Sequence, residues 1–110
     1  MGLMKPSEAL KLVRDAFRED RAFLHPHCLE QMGRRGLTTT DIENAVLWAR
    51  TIEPYPQGFE DVAFDEGEAW RLWGPSLQTD RRTKRRRTIG VGVYIVTGDS
   101  GEATIVVTVF

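Results

Sequence analysis

The chain has 110 residues, 41% apolar and 28% charged, enough to build one hydrophobic core without disulfides or metals and too apolar for a chain without a core. No apolar run approaches the ~20 residues of a spanning helix, and Met1-Gly2-Leu3-Met4-Lys5 lacks the apolar stretch of a secretory signal, so a soluble, cytoplasmic protein with no membrane partner is expected. The net charge of −1 hides an asymmetry: Arg81-Arg82-Thr83-Lys84-Arg85-Arg86-Arg87 holds six cations, leaving nine bases against sixteen acids elsewhere, several of them at Glu60, Asp61, Asp65, Glu66 and Glu68.

Ser7 is placed to cap a first helix whose apolar residues Ala9, Leu10, Val13, Ala16 and Phe17 recur at helical spacing, with Asp20 near its end. Ala22-Phe23-Leu24-His25 predicts a short extended piece. Pro26 suits the first position of a second helix, because its missing N–H would find no partner there. Gly36, after Arg34-Arg35, predicts a left-handed stop, with Leu37 packing back on the last turn. Thr40-Asp41-Ile42-Glu43 predicts a capping box for a third helix with Ile42, Ala45, Val46 and Ala49 on one stripe. From Thr51 the period changes to two, interrupted at Pro54, Pro56, Gly58 and Pro75. Strands are expected near 51–55, 69–73, 88–96 and 103–110, the last two joined as a hairpin through 97–101. Helices followed by strands predict an α+β fold in a single domain, residues 1–110, with N-terminal helices packed on a small, mainly antiparallel sheet.

Alternation sets Ile89, Val91, Val93 and Ile95 on one face, suited to a helix layer, and Gly90, Gly92, Tyr94 and Val96 on the other. The glycines either admit a close approach to the backbone or mark a bend or bulge. Arg71, Trp73 and Thr108 belong to a common open face if the strand register brings them together. The basic run 81–87 falls between two strands, where Arg81, Arg82, Lys84, Arg85, Arg86 and Arg87 can reach phosphates; the alternative is a solvated loop, or a surface for the acidic stretch or an acidic partner. His25 suits a capping role. His27 is open between structure and proton transfer at neutral pH. Cys28 is the sole cysteine, so no intrachain disulfide forms and a reducing compartment suits it; it reads as a buried small residue rather than a nucleophile. The histidines, cysteine and acids match no usual metal-ligand spacing, so neither metal nor cofactor is expected. Arg34 and Arg35 suit a helix C-terminus through the macrodipole as well as they suit function. Trp48 and Trp70 read as core or hairpin packing, and Trp73, beside Gly74-Pro75, is kept as a surface for a base.

The stretch from His27 through Met32, Arg34-Arg35-Gly36-Leu37 and Asp41-Ile42-Glu43, with Arg71-Leu72-Trp73-Gly74 and the closing Ile105-Val106-Val107-Thr108-Val109-Phe110, resembles the bacterial family called domain of unknown function 4258. The resemblance covers about residues 23–110, which makes 1–21 a helical extension to a domain at 22–110. It departs from the family at Gln31, where arginine is common, and at Phe110, where a tyrosine hydroxyl is common. The family is similar to RelE/ParE-like toxins, including MqsR-type ribonucleases. The resemblance therefore implies a RelE-like fold and a metal-independent ribonuclease acting on mRNA, free or on the ribosome, with a cognate antitoxin. In that mechanism His27 is the general acid or base, Arg35 and Arg71 stabilise charge on the phosphate, Thr108 matches the terminal-strand threonine, and the basic run with Trp73 holds RNA. The rival expectation is a non-enzymatic module of the same fold that binds nucleic acid or an acidic protein.

Overall fold

In the computed structural model, residues 5–55, 68–97 and 103–109 are described. Helix α1 spans Pro6–Arg18. Its cap is Lys5 rather than Ser7, because Pro6 occupies the first helical position and shifts the start two residues earlier than a serine cap would place it. It closes with Asp20 in the left-handed region (φ 56°) and the Arg21 N–H donating to the Ala16 carbonyl. Strand β1, Ala22–Leu24, leads through His25 into helix α2, Pro26–Arg35. His25 caps that helix as expected, its Nδ1 accepting from the His27 N–H at 3.1 Å. Gly36 takes the left-handed stop at φ 65°, and Leu37, buried, donates its N–H to Met32.

Helix α3, Thr39–Leu47, carries its capping box two residues earlier than the spacing of Thr40 and Glu43 suggests. Thr38 is the cap: its Oγ1 accepts from the Asp41 N–H at 3.2 Å and its own N–H donates to Asp41 Oδ2 at 2.9 Å. Asp41 wins over Glu43 because its shorter side chain is also within reach of the sheet, where Oδ1 accepts from the Leu77 N–H at 2.9 Å.

Strands β2 (Thr51–Pro54), β3 (Glu68–Thr79), β4 (Arg86–Thr97) and β5 (Ala103–Val109) join β1 in one sheet of order β1-β5-β4-β3-β2. Every pairing is antiparallel except β1 with β5. The α+β architecture and mainly antiparallel sheet match the sequence reading. Two strands outrun it. β3 continues through Gly74 and Pro75 to Thr79, with a register shift between Pro75 and Thr79 accommodating the proline, and β4 begins at Arg86 rather than Thr88. The expected turn at 98–101 and the acids at 60–66 lie outside the described residues.

Trp70, Leu72 and Gly74 stand opposite Val93, Val91 and Ile89, so one face of β3 and β4 is continuously apolar. Against it pack Ala9, Val13 and Ala16 of α1 and Ile42, Ala45 and Val46 of α3, all fully buried. Gly74 is where α3 comes closest: a Cβ there would stand 2.0 Å from the Ala45 carbonyl oxygen. Its value is space for the helix backbone rather than a strand end. Arg14 Nε donates to the Val46 carbonyl at 3.2 Å and ties α1 to α3. Thus α1 is a working part of the core and not an appendage. No described helix is long and apolar enough to cross a membrane.

Candidate nucleic-acid interface

The basic run closes the β3–β4 hairpin. Asp80 organises the loop: its N–H donates to the Arg85 carbonyl at 2.8 Å, its carbonyl accepts from Lys84 at 2.9 Å, and its Oδ1 accepts from the Arg82 N–H at 2.7 Å. Lys84 turns the chain at φ 57°. Everything from Asp80 to Thr88 is exposed. Arg86 and Arg87 lie on β4, where alternation sends them to opposite faces, so the cations wrap the tip of the hairpin.

At its base lies a concavity of about 650 Å³. Arg50, Arg85, Arg86 and Arg87 line it together with Pro75, Asp80, Thr83 and Thr88. Asp80, its single acid among the described residues, is engaged with the loop backbone, and among those residues no ion pair involves 81–87. Arg50 joins because its N–H donates to the Trp73 carbonyl at 2.9 Å, placing the start of β2 beside β3. The sequence holds no local sign of this, since it depends on the register of Thr51 against Trp73. Arg35 comes to the same end of the sheet, because the adjoining Gly36 carbonyl accepts from the Gln78 side chain. Four arginines lining one hollow favour a polyanion with regularly spaced phosphates.

The other expected site residues divide between two places. Glu53, Arg71, Gly92 and Thr108 form one cross-strand row, so the register does set Arg71 and Thr108 on a common face. Arg71 pairs with Glu53 on the edge strand β2, Nε to Oε1 2.7 Å, and its guanidinium lies over the rings of Tyr55 and Trp73 at 5.0 and 5.5 Å. It is thereby drawn away from β5. Thr108 is only 4% exposed. His27, half-buried in the first turn of α2, follows β1, and two strands, β5 and β4, lie between β1 and the strand that carries Arg71. Arg35 is at the far end of α2, about 12 Å from His27. Arg71 and Thr108 thus share a row of the sheet, while His27 and Arg35 lie at opposite ends of α2, so the four residues expected to act together do not converge on one point. Trp73 is half-buried on the same face as Pro75, one cross-strand step from the concavity.

Cys28 is fully buried, and burial pushes its thiol up to about 11, which suits packing and not nucleophilic attack. Of the two tryptophans expected to pack, Trp70 does, with its Nε1 donating to Glu68 at 3.3 Å. Trp48 does not: it is 68% exposed at the end of α3. Among the described residues no group of three or more histidine, cysteine, aspartate or glutamate side chains is placed to hold a metal ion.

The family model for the domain of unknown function (DUF4258) matches residues 24–110, from the end of β1 to the C-terminus. The chain belongs to the DUF4258 family. It matches no curated protein and no solved structure. Within this DUF4258 chain the match excludes α1, although that helix supplies three fully buried core residues.

Proposed function

We propose that this DUF4258 chain binds RNA, holding its phosphates on the β3–β4 hairpin and in the concavity at its base. The observation that carries the reading is the gathering of Arg50 with Arg85, Arg86 and Arg87 around one hollow whose only acid among the described residues, Asp80, accepts from a backbone N–H group. Contacts of this kind give affinity that falls with salt and is largely independent of sequence. Replacing Arg85, Arg86 and Arg87 by glutamine is expected to reduce affinity for a short RNA and to lower the slope of log K against log salt by about 2. Equal affinity and equal slope for the wild type and the variant would remove the hairpin from the interface.

A second reading adds turnover: a RelE/ParE-like, metal-independent ribonuclease directed at mRNA and paired with an antitoxin. It is favoured by the position of His27 just after β1, which pairs in parallel with β5, the strand that carries Thr108. The dispersal of Arg35 and Arg71 favours binding without cleavage. Incubating a defined mRNA with wild type and His27→Ala, free and in a translating extract with EDTA, separates them. Cuts that persist in EDTA and vanish in the variant establish the ribonuclease; intact RNA establishes the module.

A further inference from the structure

We infer that the interface selects single-stranded over double-stranded RNA, with Trp48 as the platform on which an unpaired base stacks. This rests on the RNA-binding reading and specifies its substrate class. Trp48 is the exposed one of three tryptophans and lies at the C-terminal end of α3. Two residues on is Arg50, which lines the basic concavity, so the two backbones are within about 7 Å of one another. A second tie fixes the placement: the Trp48 N–H donates to the Asn44 carbonyl at 3.0 Å, and Asn44 Nδ2 donates at 2.9 Å to the carbonyl of Pro75, another lining residue. An exposed indole two residues along the chain from a cluster of arginines is the combination that single strands use, phosphates tracking the cations while bases stack on the aromatic face. A duplex offers the same phosphates but keeps its bases stacked on each other, so the ring gains nothing from it.

The test is the affinity of wild type, Trp48→Ala and Trp48→Phe for a 12-nucleotide RNA, single-stranded or annealed to its complement, at low salt. Wild type is expected to prefer the single strand; Trp48→Ala should lose about tenfold on it and nothing on the duplex, and Trp48→Phe should keep most of the preference. Equal wild-type affinity for both forms, or a preference unchanged in Trp48→Ala, overturns the inference while leaving phosphate binding by the hairpin intact. Absence of wild-type binding to either RNA overturns the RNA-binding reading itself, and this inference with it.

Discussion

Gly74→Ala tests how α3 is seated on the sheet. The added methyl would stand 2.0 Å from the Ala45 carbonyl oxygen and 2.8 Å from its carbon, where ordinary contact begins near 3.4 Å. Both obstacles are backbone, so no rotamer change relieves them; the helix has to retreat by about 1.4 Å or the strand has to bend. Retreat is resisted by two bonds flanking the contact, Asn44 Nδ2 to the Pro75 carbonyl and the Leu77 N–H to Asp41 Oδ1, each 2.9 Å. Stretching both beyond hydrogen-bonding range forfeits about 1 kcal/mol for the neutral pair and about 2 for the charged one. Overpacking adds about 1–3 kcal/mol, and the stiffer unfolded chain of alanine offsets about 0.5–1 of the total. The expected loss is about 4 kcal/mol, a large share of the stability of a domain this size. In urea, followed by circular dichroism, the midpoint should fall by about 2 M. Gly33→Ala is the contrast: nothing lies within 4 Å of its Cβ position in α2, and it should gain about 0.5 kcal/mol. A Gly74→Ala midpoint within about 0.3 M of wild type would show that α3 is not held as described.

Asp41→Asn should cost about 2 kcal/mol at neutral pH, because a charge-assisted bond to Leu77 and the cap on Thr38 are weakened together. Burial pushes the Asp41 carboxyl up, but the N–H groups of Thr38 and Leu77, the Thr38 hydroxyl and the Gln78 side chain outweigh it and hold the group below its usual range. Its contribution is thus complete above the unfolded carboxyl's value of about 4 and is lost as pH falls through the folded one, so the gap from wild type should stay level from about pH 5 to 8 and narrow in acid. Thr38→Ala should lose about 1 kcal/mol in urea unfolding and Thr40→Ala less than about 0.5, which checks the register of the cap. Cys28, buried and with its thiol raised, should resist alkylation in the folded protein near pH 8 and react promptly once urea unfolds it; prompt native reaction would show that the α2 contact opens.

Local chemistry was legible wherever one residue decides the backbone. Pro26 began α2, Gly36 ended it and His25 capped it, because each effect is confined to its own turn. The alternation of Ile89, Val91, Val93 and Ile95 disclosed the helix-facing side of β4, although Gly90, Gly92 and Tyr94 on the side expected to be open are buried as well, and the family could be read from its short motifs. The cap of α3 was less legible: spacing pointed to Thr40 with Glu43, whereas the Leu77 N–H on another element favours Asp41, and with it Thr38. Gly74 and Pro75 suggested the end of a strand for the same reason, since the helix that needs the missing side chain lies far away in sequence.

By itself the amino-acid order determined the α+β class, the positions of most elements and the existence of a concentrated basic segment, all properties of composition and short-range periodicity. Tertiary structure alone decided what stands beside that segment. Sheet register and the packing of α3 against β3 bring Arg50 to the concavity, leave Trp48 in solvent, draw Arg71 toward Glu53, and put two strands between the strand of Arg71 and the one that His27 follows. Those placements arise from contacts between residues distant in sequence, which periodicity and spacing do not encode.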